Sequence, residues 1–150
     1  MREIASLAEL KNLIGQELAV SDWVHIGQER VNQFAQATGD HQWIHVDPDR
    51  CLRESPFGCA VAHGFLTLSL ISTFMESAIS MPDVKLAVNY GLNKVRFPAV
   101  VPVGSDVRGR FALLSVEDVA GGAQIIWQVT VEREGGAKPV CVAELITCRY

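Results

Sequence analysis

The chain contains no block of like charges. Thirteen Lys and Arg stand against seventeen Asp and Glu, a net charge of −4 at neutral pH, so the clustered cations that carry phosphate-backbone binding are missing and nucleic acid is excluded as a main partner. Also missing is an N-terminal apolar core followed by small residues. Arg2, Glu3, Glu9 and Lys11 interrupt the opening MREIASLAELKNLIG, and no secretory signal is expected. The most apolar stretch, Ala60 to Ile79, is broken by His63, serines, threonines and Glu76 and falls short of the ~20 predominantly apolar residues of a membrane span. The four cysteines, Cys51, Cys59, Cys141 and Cys148, show neither CxxC spacing nor a disulfide-dense pattern. They read as reduced, partly buried thiols of a cytoplasmic protein. Repeats and linkers are absent as well, so the 150 residues, 49% of them hydrophobic and 20% charged, are expected to form one globular domain with its own core.

What is present falls into two halves. Ser6-Leu-Ala-Glu9 has the form of a capping box and opens a short helix ending at Gly15, so residues 1–18 are expected as a helical extension. Ala19 to Ile26 reads as a strand. From Gln28, the residues Val31, Phe34, Ala35 and Thr38 recur at helical spacing, and Gly39 stands where a helix-ending glycine belongs. A polar, proline-bearing passage leads to Gly64–Ile79, whose apolar residues occupy nearly every helical face. Such a helix must be enclosed, and sixteen residues at ~1.5 Å rise make a rod of about 24 Å. Past Pro82 the chain turns to strands, with Gly121-Gly122 and Gly135-Gly136 as turns, and consecutive antiparallel hairpins are expected. The fold class is therefore α+β, an antiparallel sheet wrapped around a long central apolar helix.

Three blocks carry a resemblance. TGDHQWIHVD (Thr38 to Asp47), VAHGFLTLSLIS (Val61 to Ser72) and KVRFPAVVPVGS (Lys94 to Ser105) occur in the order found in the MaoC-like hydratase family, the (R)-specific enoyl-CoA hydratases of the hot-dog fold. The likeness covers roughly residues 20–150, and the wording of the first block is most similar to the branch named after nodulation protein N. It implies a single hot-dog domain in which Asp40 and His45 are the catalytic pair and the Gly64 backbone N–H receives the thioester oxygen, with Ser72 supporting nearby. One departure stands out: Gln42-Trp43 replace the Asn-Pro of the family pattern, which leaves Gln42 in the place of a loop-orienting asparagine. The likeness also implies a homodimer acting on an acyl-CoA thioester. Neither metal nor any cofactor beyond the coenzyme A of the substrate is expected.

The residues support that chemistry on their own terms. Hydration of a conjugated thioester needs a base for water, an acid for C2 and a holder for the enolate-like oxygen. A histidine such as His45 is a base suited to neutral pH, and Asp40 can orient the same water and exchange a proton with C2. A helix start presents unpartnered N–H groups, and Gly64 adds no side chain to block them. Trp43, His63 and Phe65 are expected around the substrate. Lys94 with Arg96, or Arg108 with Arg110, share a strand face and are candidates for the coenzyme A phosphates. Plainer readings stand beside these. Asp40 after a helix-ending glycine can be a turn aspartate, and His45 a packed core histidine. Trp43 can be core, Ser72 helix packing, and His63 a structural residue at a helix start. His41 and His45, with Asp40 and His63, also invite a metal reading, against which Gly39 ends the helix before His41. Two functional rivals remain on the sequence alone: a thioesterase on the same fold, and a non-catalytic acyl-thioester-binding protein.

Overall fold

A computed structural model describes residues 1–150. Its main feature is a six-stranded antiparallel sheet. Along one path it runs β2 (Glu17–Val20), β6 (Ser105–Val119), β7 (Gly122–Arg133), β8 (Cys141–Arg149) and β5 (Ala87–Arg96), while β3 (Val24–Ile26) also pairs with β6. Strand β7 alternates as its sequence requires: Ala123, Ile125, Trp127, Val129 and Val131 are all fully buried, with half-buried Gln124, Ile126, Gln128 and Thr130 between them. The Trp127 indole N–H is satisfied by the Thr147 hydroxyl at 3.0 Å. Gly121 at φ 80° and Gly135 at φ 68° make the turns into β7 and out of it.

Against the sheet lies the central helix. It is not the single sixteen-residue rod expected from the apolar run. It has two segments, α5 (Gly64–Ser69) and α6 (Ile71–Ala78), joined at Leu70, and the chain leaves it at a short strand β4 (Ile79–Ser80). The Leu70 carbonyl still accepts the Phe74 N–H, and the Leu70 N–H donates to the Leu66 carbonyl, so the axis continues through the joint. Phe74, fully buried, packs over Gly109 of β6, where an added Cβ would come within 2.9 Å of the Phe74 Cβ. That glycine sets how closely helix and sheet approach. Not every face of the helix is enclosed: Phe65 is 68% exposed.

Three further elements differ from expectation. The first eighteen residues are more than an extension. β1 (Arg2–Glu3) pairs in parallel with β4, Ile4 and Leu10 are fully buried, and β2 enters the main sheet. The capping box is real, with Ser6 Oγ accepting the Glu9 N–H at 3.1 Å and Glu9 Oε2 accepting the Ala5 N–H at 2.8 Å, but helix α1 covers only Leu7–Lys11. The strand expected over 19–26 is broken into β2 and β3, both on β6. Finally, β5 does not form a hairpin with β6. It crosses to the far edge and pairs with β8. This is the hot-dog fold: an antiparallel sheet curled over a central helix, of class α+β. No helix is long and apolar enough to cross a membrane.

Candidate active site

Helix α2 (Gln28–Thr38) buries Val31 and Ala35 and ends where glycine was expected. Gly39 adopts the left-handed conformation, φ 79°, and its N–H closes on the Ala35 carbonyl at 2.8 Å. Asp40 follows directly, with its side chain 53% exposed. One carboxylate oxygen accepts the Gln42 N–H at 3.3 Å. Gln42 then caps a single turn, α3 (Trp43–Val46), which carries His45; the histidine therefore sits on helix and not on loop. The turn is pinned from α2, since the Gln28 amide donates to the His45 carbonyl at 2.7 Å.

The His45 ring is 7% exposed, and its two nitrogens have different fates. Nδ1 donates to the Val61 carbonyl at 2.6 Å. Nε2 is thereby left as the free base, and His45 lines a hollow of about 210 Å³ together with Ile44, Phe57, Gly64, Phe97 and Val101 among others. Burial holds the His45 pKa below its ordinary value, and the nearby His63 pushes the same way, while the Val61 carbonyl and the Asp40 carboxylate pull upward. The balance favours a neutral imidazole ready to take a proton.

Gly64 is the first residue of α5, with His63 as the residue before the helix. Its N–H consequently has no partner within the helix. A Cβ added at Gly64 would meet the Phe97 ring at 3.0–3.1 Å, so glycine lets that ring pack directly on the helix start. His45 and Gly64 thus line one apolar hollow, and Asp40 stands beside it: Asp40, His45 and His63 have ligating atoms within 4.8 Å of one another. Those three suit a proton site better than a metal. The two imidazoles are stacked, 3.8 Å apart at 25°, whereas ligands of one ion aim their nitrogens at a common centre ~2.0–2.1 Å from each. His45 Nδ1 and His63 Nε2 are moreover committed to carbonyls. His41 stands outside the group, exposed.

Other expected residues lie elsewhere. Trp43 is absent from the hollow, where its neighbour Ile44 takes the place; its ring instead lies under the Arg50 guanidinium at 4.3 Å. His63, 2% exposed, is not among the residues lining the hollow. Phe65 meets Phe97 edge-on at 6.1 Å on the outer side. Ser72 lies about 12 Å along the helix from Gly64, accepts from the Asn89 amide at 2.9 Å and lines a different hollow. Gln42 is exposed, and its carbonyl accepts the His45 N–H at 3.0 Å. Arg108 and Arg110 are engaged with Glu132 and Glu17, whereas Lys94 and Arg96 are exposed on β5 without a carboxylate partner. His25 pairs with Asp106 at 2.8 Å on the surface. Val61, Phe97 and Gln28 were missed by sequence reasoning. Val61 acts through its carbonyl and Gln28 through one amide, and neither role leaves a mark in residue type; Phe97 stands inside the KVRFP block and was available to notice.

An aspartate and a histidine beside a helix start, in an apolar hollow of a hot-dog fold, define a class. The chain belongs to the family described as MaoC like domain, which it matches over residues 9–136. Among its relatives is 3-hydroxyacyl-thioester dehydratase Z of Mycobacterium tuberculosis (strain CDC 1551 / Oshkosh), 55% identical over 100% of this chain and 99% of that one. Nodulation protein N of Rhizobium leguminosarum bv. viciae is 46% identical over 95% and 89%. The unliganded R-hydratase PhaJ1 from Pseudomonas aeruginosa has the same fold, with a TM-score of 0.72 at 23% identity over 91% and 81% of the two chains.

Proposed function

We propose that the protein is a hydro-lyase of 3-hydroxyacyl thioesters, and that its reaction is the reversible syn addition of water to a trans-2-enoyl-CoA to give the (R)-3-hydroxyacyl-CoA. One observation carries the reading: His45, its Nδ1–H committed to Val61 and its Nε2 left free, lines a hollow together with Gly64, with Asp40 alongside. The thioester oxygen accepts the Gly64 N–H. His45 Nε2 draws a proton from water, whose oxygen bonds to C3, and the C2=C3 electron pair moves toward the thioester oxygen that Gly64 holds. Asp40 orients the same water; the proton that His45 takes from it passes through the Asp40 carboxylate, within 4.8 Å, to C2, so one water supplies hydroxyl and hydrogen and the site returns to its starting state. The apolar lining takes the acyl chain, and Lys94 and Arg96, free of carboxylates, are the cations available to coenzyme A phosphates. The names of the dehydratase and hydratase relatives support this reading. No metal or redox group enters. A cytoplasmic homodimer goes with the proposal, the second copy covering the exposed edge of β5.

The test is purified protein with crotonyl-CoA and with a longer enoyl-CoA, following enoyl absorbance and free thiol together. Absorbance falls and thiol stays flat if the reading holds. A rise in thiol replaces it with thioester hydrolysis, and binding with no change in either signal replaces it with a carrier role.

A further inference from the structure

We infer that His63 is the positioning residue of this site: its ring and its Nε2–H hold Asp40 and His45 in one register beside the Gly64 donor. The inference rests on the hydratase reading above and assigns a role that reading leaves empty.

Three parts of the site meet at this side chain. Its Nε2–H donates to the Asp40 carbonyl at 3.0 Å and lies 4.0 Å from an Asp40 carboxylate oxygen. Its ring stacks on His45 at 3.8 Å on one side and meets Phe34 at 4.9 Å on the other. Its backbone begins α5, with the His63 carbonyl accepting the Leu66 and Thr67 N–H groups just before the Gly64 donor. Asp40 is otherwise weakly held, its N–H reaching Thr38 Oγ1 only at 3.4 Å and its carboxylate the Gln42 N–H at 3.3 Å.

A purely structural role fits the side chain badly. His63 precedes the helix yet makes no capping hydrogen bond to it, turning instead to the Asp40 loop. Its Nδ1 is buried without a partner, a cost that phenylalanine would remove while filling the same space between Phe34 and His45. A position that keeps an orphaned nitrogen for the sake of the other nitrogen's bond is one where the bond is the purpose.

Two variants separate the roles. His63→Phe keeps the ring and loses the donor; His63→Gln loses the ring but places an amide N–H near the Nε2 position. His63→Phe is expected to melt no lower than the native protein while its kcat falls about 10²-fold, the scale of a misplacement of about one ångström, with KM little changed. His63→Gln should recover most of that kcat. Independently of turnover, backbone hydrogen exchange over residues 40–45 should quicken in His63→Phe and not in His63→Gln. Should His63→Phe fail to fold, His63→Asn takes its place, since its shorter amide does not reach the Nε2 position. Folded donor-less variants with native kcat and native exchange would overturn the inference, as would donor-less and glutamine variants equally impaired. Native protein without hydratase activity but with the expected exchange differences would instead sink the functional reading and leave the positioning role standing.

Discussion

The imidazoles of His45 and His63 lie face to face, 3.8 Å between centroids and 25° between planes. Burial, and then the neighbouring His63, hold the His45 pKa below its ordinary value. The unfolded chain takes up a proton on this histidine near its ordinary pKa of about 6.5, the folded chain only at lower pH. The stability His45 contributes is therefore complete above about pH 6.5 and is lost as pH falls through the window beneath it. The acid limb of kcat/KM should likewise have its midpoint below about 6.5. A profile collapsing above that value would contradict a buried, neutral base.

Removing either member of the pair should leave the fold and abolish most turnover. Asp40 is half-exposed, and its side chain makes one hydrogen bond, at 3.3 Å, and one long approach to His63, at 4.0 Å, so Asp40→Asn should keep native circular dichroism. It and His45→Ala should each lose at least about 10²-fold in hydration rate. The double variant should be little worse than the poorer single, because groups acting on one water are not independent. Clean multiplication of the two losses would argue for separate roles.

At the proposed oxyanion site, Phe97 decides how substitutions read. Any Cβ at Gly64 meets that ring at 3.0–3.1 Å, so Gly64→Ala alone should lose activity through crowding. Adding Phe97→Leu should restore part of it. In the Phe97→Leu background, Gly64→Pro removes the N–H itself, at a helical position where that group has no intrahelical partner, and should cost a further 10² to 10³-fold, roughly the worth of one such donor. If proline and alanine behave alike there in folded protein, the N–H does not hold the thioester oxygen.

Strand β5 is the outer strand of the sheet and exposes Val88, Tyr90 and Leu92 along its length, with Leu86 just before it. A ten-residue outer strand whose first half exposes apolar side chains is an invitation to pair, and sedimentation should find a dimer at micromolar concentration. Val88→Asp with Tyr90→Asp should shift it to monomer. An active native monomer would remove the dimer from the account.

Much of this was legible before the fold was known, and the parts that were not share a cause. The α2 helix, its Gly39 exit and the β7 alternation depend on local spacing, and so they read directly. The His45–Gly64 approach was accessible through the order of the blocks. Breaks at Leu70 and between β2 and β3 were hidden because apolar runs do not show where a helix or strand yields to packing. The crossing of β5 to the β8 edge is a matter of topology, which turn residues do not encode. Trp43 illustrates the limit at the site: one position of helical phase exchanges it with Ile44 in the hollow and sends the indole under Arg50.

The central claim is that one pair, on one side of the substrate, adds both parts of a single water. Hydration of crotonyl-CoA in heavy water measures this most directly, with the product resolved by chirality at C3 and by NMR at C2. The account predicts the (R)-3-hydroxy product with deuterium delivered to C2 from the face that received the hydroxyl. An (S) product, or deuterium on the opposite face, would contradict it.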